Sequence, residues 1–246
     1  MTKPLGSFTA ADITAAAAQQ YSAGDADMRV VPGRTALLIV DMIDEFVRPH
    51  WTPYWIPDAT AQSPRIAAVA DAFRAAGAPV IYLAYETGLR GLDFPLTETR
   101  VPIGSAVADY AGEILEEVAI WPELRPKDGD LVILKHSYSG FHQTPLEGVL
   151  RSLGASTVVI TGTMTNFCCG ATAREAFWRG FDVVFAADCN STDDERLHEA
   201  ELATLRRGFA KIATADEIIT AIGADSQVTG HGAALQAALP GKESTA

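Results

Sequence analysis

Six short apolar runs punctuate the chain, each set off from the next by a helical pattern or a turn-rich stretch, and this alternation narrows the fold more than any other feature. Thr35-Ala-Leu-Leu-Ile-Val40 is continuous, rich in branched residues and closed by Asp41, the pattern of a strand buried on both faces. Similar runs follow at Ala78–Ala84, Asp130–Leu134, Thr157–Thr161, Asp182–Ala186 and, more weakly, Phe209–Ala213. Helical periodicity occupies roughly 63–76, 144–153, 166–179 and 194–207, with Gly77 and Gly180 placed as C-terminal glycines. A strand followed by a crossover helix returns parallel to its predecessor, so the pattern predicts an α/β protein. Its expected form is an open, mostly parallel six-stranded sheet with helices on both faces, a Rossmann-like three-layer sandwich. Ligands of such sheets bind beyond the carboxyl ends of the strands.

A chain of 246 residues with 48% hydrophobic content fits one such domain with terminal extensions. Residues 1–33 read as an N-terminal arm: a polar lead, an Ala-rich helix from Ala10 to Tyr21, and the turn Ser22-Ala-Gly-Asp25. Residues 34–223 form the expected domain. Residues 224–246 form a C-terminal extension, with an Ala-rich segment at 232–239 before Pro240. The stretch 86–129 is the least regular, since Pro95, Pro102, Pro122 and Pro126 interrupt helices around the acidic segment Glu113–Glu117; it reads as an insertion that covers a pocket.

Thirty-one acidic against 19 basic residues give a formal charge of −12, a field that repels phosphate backbones and anionic lipid, so neither nucleic acid nor a membrane is an expected partner. An anionic substrate would need a local cation, for which Arg48, Arg90 and Arg100 are candidates. No apolar run approaches the ~20 residues of a membrane span and no basic-then-apolar leader opens the chain, which points to the cytoplasm. Cys168, Cys169 and Cys189 do not make a disulfide framework. No spaced Cys or His pairs of metal-site type occur, so no metal and no cofactor is expected.

Three reactive side chains fall at the ends of expected strands, which an open parallel sheet brings to one edge: Asp41, Lys135 and the cysteine pair 168–169. Taken singly, such an Asp is often a helix cap, such a Lys is usually solvated and such a Cys is mostly packing. Together they carry more weight. The segment Thr161-Gly-Thr-Met-Thr-Asn-Phe-Cys-Cys-Gly170 reads as strand, tight turn, helix. Thr165 or Asn166 would cap the helix and put Cys168 in its first turn, where unpaired N–H groups and the dipole favour a thiolate or an oxyanion. A nearby lysine would lower the thiol pKa further, and an aspartate would take its proton.

Leu-Ile-Val-Asp41-Met with Asp44 and Phe46, then Lys135 at a strand end, then Gly162-x-x-Thr165-Asn166-x-Cys168 with Thr172-Ala173-Arg174, resembles the isochorismatase-like hydrolases over about residues 33–223. Lys135-His-Ser-Tyr-Ser-Gly-Phe141 with Thr144 and Leu146 is similar to the ureidoacrylate and N-carbamoyl amidohydrolases among them. The resemblance implies a Cys–Asp–Lys triad that cleaves the C–N bond of a small amide, ureido or carbamoyl compound through a thioester. It selects Cys168 over Cys169 as nucleophile, implies a cis peptide at Thr163–Met164, and assigns the oxyanion hole to the N–H groups of Met164 and Cys168. Relatives that hydrolyse nicotinamide bind a metal through an Asp-x-His element, whereas this chain has Tyr85-Glu-Thr-Gly-Leu-Arg90 there.

Pocket walls are expected from Phe46, Trp51, Tyr138 and Phe141, with Tyr54 and Trp55 in the same aromatic set, because small-molecule sites are largely apolar with a few fixed polar groups. The aromatic stretch Trp51–Trp55 and the Ala-rich termini exceed what one small domain readily buries, and relatives commonly assemble, so a homo-oligomer, dimer or tetramer, is expected. Two other readings share the scaffold: an isochorismatase-type ether hydrolase, which needs no thiol, and a non-catalytic binding protein. Cys168 argues against the first and the intact triad against the second.

Overall fold

A computed structural model describes residues 3–23, 28–85, 120–224 and 227–228. Its centre is a six-stranded, all-parallel sheet built from β2 (Thr35–Val40), β3 (Val80–Tyr85), β4 (Leu131–Lys135), β5 (Thr157–Thr163), β6 (Asp182–Ser191) and β7 (Lys211–Ala213), in the order β4-β3-β2-β5-β6-β7. A separate antiparallel pair, β1 (Met28–Arg29) with β8 (Gln227–Val228), ties the two terminal segments together. The helices are α1 (Ala10–Ala23), α2 (Asp44–Val47), α3 (Pro57–Ala75), α4 (Leu146–Ser152), α5 (Gly170–Trp178), α6 (Glu195–Gly208) and α7 (Ala215–Ala224).

Alternation along the central strands sorts the core into two layers. Leu37, Ile39, Val80, Tyr82, Val159 and Val184 face α3 and α7, while Leu38, Val40, Ile81, Leu83, Ile160 and Phe185 face α4, α5 and α6. Strand order reverses between β2 and β5, whose sequence neighbours run outward in opposite directions from the centre. The carboxyl ends of that pair form the crevice expected of an open parallel sheet.

The α/β architecture therefore matches the sequence reading, with differences at particular elements. Helix α3 begins at Pro57, six residues before the expected start near 63, and runs through Pro64. Pro64 is exposed, and Ala59, Gln62, Ser63, Ile66, Val69, Ala70 and Phe73 bury one face that outweighs one missing hydrogen bond. Strand β4 is an edge strand, not a strand buried on both faces: Leu131, Val132 and Leu134 are exposed. Helix α7 and the β1–β8 pair lie outside the sequence pattern altogether. The arm helix α1 is largely exposed and rests on α6, where Arg207 donates to Gln20 Oε1 at 2.9 Å and stacks over Tyr21. Most of the expected pocket-covering insertion, with Arg90 and Arg100, lies outside the described residues, as does the Ala-rich segment 232–239. Among the described residues no helix is long and apolar enough to cross a membrane.

Candidate active site

Asp41 is the first residue beyond β2, and its backbone leaves the strand with φ of +47°, a left-handed conformation that aspartate tolerates better than most side chains. Its main chain is fully engaged: the N–H donates to Leu83 O at 2.8 Å and the carbonyl accepts from Thr163 Oγ1 at 2.9 Å. The carboxylate accepts from Tyr85 N through Oδ1 at 2.8 Å, and its Oδ2 lies 2.7 Å from the Lys135 ammonium. Neither side chain of that ion pair reaches solvent. Lys135, the last residue of β4, also donates to Ser137 O at 3.0 Å.

The turn after β5 brings up Cys168. Gly162 has φ of +125°, and a Cβ there would come within 1.9 Å of Val40 O, so only glycine lets β5 approach β2 this closely. Gln62 donates to its carbonyl at 3.1 Å. The Thr163–Met164 peptide is cis. A wide turn of π-helical form, Thr165–Cys169, follows, with Cys169 N donating to Met164 O at 3.1 Å, and α5 begins at Gly170. Thr165 and Asn166 do not cap this helix, contrary to the sequence expectation. Thr165 Oγ1 lies 2.9 Å from His198 Nδ1 on α6, and Asn166 Oδ1 accepts from Thr192 Oγ1 at 2.7 Å. Cys168 thus precedes α5 and sits in the turn.

The Cys168 thiol is buried, and both the Asp41 carboxylate and the Lys135 ammonium act on it, so the three residues picked from the strand ends do converge. The expected resting thiolate does not follow. Burial, then the Asp41 charge, push the thiol well above its ordinary value, and the Lys135 ammonium offsets only part of this. Burial also raises the Asp41 carboxyl against the pull of Lys135. Burial alone would depress the Lys135 ammonium, but Asp41 and Cys168 beside it outweigh that and hold it above its ordinary value. The arrangement is a buried ion pair facing a buried thiol whose ionisation burial opposes.

Thr172 joins the two strand-end loops. Its hydroxyl donates to Cys168 O at 2.7 Å and accepts from Gly140 N at 2.9 Å, linking the turn that carries Cys168 to the loop after Lys135. Cys169 is fully buried among apolar residues, and Cys189 is equally buried, its thiol pushed up to about 12, first by burial.

The aromatic set disperses. Phe46 is partly buried against the α3 layer, and Trp51 lies under the Arg48 guanidinium, 5.2 Å from the ring centroid. Tyr138 stacks on the exposed Phe167 at 5.5 Å and lines a cavity of about 320 Å³ with Asn166, Arg174 and Trp178. Phe141 is 4% exposed and packs on Phe181 in the core, which leaves it little open wall. Sequence reasoning passed over Glu45. Its carboxyl is raised to about 7, first by burial and then by the Asp41 charge, with Lys135 opposing, so it shares the field of the Asp41–Lys135 pair. Its place four residues after Asp41, at the second position of α2, was the available signal.

The chain is similar to known proteins. The isochorismatase domain profile matches residues 35–217. Over 214 residues the chain is 32% identical to ureidoacrylate amidohydrolase RutB of Methylobacterium radiotolerans, covering 80% of this chain and 82% of that one. A shorter match, 44% identical over 89 residues, covers 36% of this chain and 45% of nicotinamidase 3 of Arabidopsis thaliana, so the chain spans under half of that relative. A crystal structure of a cysteine hydrolase from Pseudomonas syringae pv. phaseolicola superposes with a TM-score of 0.70 at 28% identity, over 80% of this chain and 96% of the other. The matched profile runs from the first central strand into α7 and encloses Asp41, Lys135 and Cys168, and on that basis the chain belongs to the isochorismatase domain family of α/β hydrolases.

Proposed function

We propose that the protein is a cytoplasmic, cysteine-dependent amidohydrolase that cleaves the C–N bond of a small amide, ureido or carbamoyl compound. The observation that carries this reading is the solvent-free Asp41–Lys135 ion pair at 2.7 Å, whose two charges both act on the buried Cys168 thiol. A thiol held above its ordinary pKa is no nucleophile until its proton moves, and Asp41 is the adjacent acceptor. As the proton passes to Asp41, Lys135 steadies the thiolate. The sulfur then attacks the substrate carbonyl, and the oxyanion is met by the N–H groups of Met164 and Cys168. Asp41 returns the proton to the departing nitrogen as the tetrahedral intermediate collapses, leaving a thioester on Cys168 and free ammonia or amine. Water, deprotonated by Asp41, attacks the thioester and restores the thiol. No metal or cofactor enters these steps.

Phe46, Trp51 and Tyr138 supply apolar wall to the substrate, with Phe141 supporting from the core. Exposed Phe177 and Trp178 on α5, 45% and 68% accessible, support assembly into a homo-oligomer, which light scattering at the monomer mass would reject. The function is tested by screening primary amides, ureido acids and N-carbamoyl amino acids for ammonia release, with single-turnover mass spectrometry of the Cys168 peptide. An acyl adduct on that peptide is expected. Turnover of a vinyl ether without an adduct would replace this reading with ether hydrolysis, and no turnover of any kind would leave a binding scaffold.

A further inference from the structure

The turn that carries Cys168 is held from outside the triad by helix α6. Thr165, which opens the turn, is fully buried, and its hydroxyl lies 2.9 Å from Nδ1 of half-buried His198. One turn further along α6, Glu201 forms an ion pair with Arg174 of α5. A Cβ on Gly170, between the two links, would clash with Glu201 Oε1 and approach Thr165 O, so α6 presses directly on the backbone that follows the nucleophile. Asn166 is tied independently to Thr192. The residues flanking Cys168 are thus fixed by side chains that never approach the reacting atoms.

We propose, on the footing that Cys168 is the nucleophile, that His198 is a positioning residue whose neutral Nδ1 accepts the Thr165 hydroxyl proton and so sets the alignment of the nucleophile turn. A protonated ring would present N–H at that atom instead. The Thr165 hydroxyl would then have to reverse, turning its own proton into a fully buried site. The unprotonated ring is the working form. The charges that reach it are Glu195 and Glu199 on its own helix and Asp58 at the start of α3, while the turn it touches, Thr165–Cys169, carries no charged side chain. Burial outweighs these three carboxylates and lowers the imidazole from its ordinary value, keeping it neutral at physiological pH.

The test compares the parent with His198→Asn, whose Oδ1 can stand where Nδ1 stands but does not titrate, and with His198→Ala. The probe is the rate of Cys168 alkylation by iodoacetamide between about pH 5 and 8, read by peptide mass spectrometry, with the imidazole titration followed by NMR. Taking the ratio of parent to His198→Asn cancels the titration of the thiol itself. That ratio is expected to hold steady at neutral pH and to fall as His198 protonates, by about threefold to tenfold, the size of one neutral hydrogen bond. His198→Ala is expected to be slower than the parent at neutral pH, with His198→Asn restoring most of the loss. A ratio that stays flat across the pH range, or an alanine variant that matches the parent, overturns the proposal. Because alkylation needs no substrate, a parent that hydrolyses no amide but still shows the ratio change would count against the proposed reaction and not against this positioning role.

Discussion

Asp41 and Lys135 sit at the ends of strands that are not neighbours, β2 and β4, yet their charged atoms are 2.7 Å apart with β3 between the strands. The register accounts for this. Lys135 pairs with Tyr85 and Val40 with Leu83, so both side chains reach the same edge just above β3, and Tyr85 N–H completes the bridge by donating to Asp41 Oδ1.

Replacing Lys135 with Met is expected to raise the Cys168 thiol further, because the ammonium is the one neighbour that favours the thiolate against burial and Asp41. Two unit charges at ~4 Å and an effective dielectric near 20 interact by about 4 kcal/mol before desolvation, enough for a shift of more than one pKa unit. The pH dependence of iodoacetamide labelling at Cys168, in folded parent and Lys135→Met, measures it. Superimposable curves would remove Lys135 from the triad.

Cys168→Ala should abolish turnover, whereas Cys169→Ala should keep most of it and lose on the order of 1 kcal/mol of stability, since Cys169 is fully buried among apolar side chains and only a small cavity is made. Steady-state rates and urea unfolding separate the two effects. Equal loss of activity in both variants would refute the choice of nucleophile.

Thr172→Val keeps the volume but removes the hydroxyl that accepts from Gly140 N–H and donates to Cys168 C=O. A cost of about 1–3 kcal/mol in unfolding free energy is expected for each group left unsatisfied, together with a lower kcat, because the loop after Lys135 and the nucleophile turn lose their link. An unchanged kcat would show that the link is dispensable for alignment.

Glu45 gives a pH signature. Its folded pKa of about 7 lies above the ordinary 4.5, so between those values the folded protein holds a proton that the unfolded chain releases, and stability falls as pH rises through that window. Glu45→Gln removes the penalty. At one pKa unit per about 1.4 kcal/mol, discounted for partial exposure, the variant should gain about 1–3 kcal/mol over the parent at pH 8 and nothing at pH 4. Urea unfolding at both pH values tests this, and a gap independent of pH would mean that Glu45 titrates normally.

The central strands and the order Asp41, Lys135, Cys168 were legible in the sequence because buried parallel strands leave unbroken branched apolar runs, and because a reactive residue at a strand end is a local signal. The start of α3 and the exposure of β4 were not. Whether a helix survives Pro64 depends on the face it buries, and whether a strand is central or at an edge depends on what pairs with it. The aromatic positions were visible as residues, but their neighbours were not, so Phe141 fell into the core beside Phe181. The chain order of residues thus determined the sheet and the placing of Asp41, Lys135 and Cys168 at its strand ends. Only the tertiary structure decided the state of the site: the upward push of burial on the Cys168 thiol, the raised carboxyl of Glu45 and the contact of His198 with Thr165. Each of these arises from burial and from charges or hydrogen bonds between segments distant in sequence, and desolvation has no value until the chain has closed around the group.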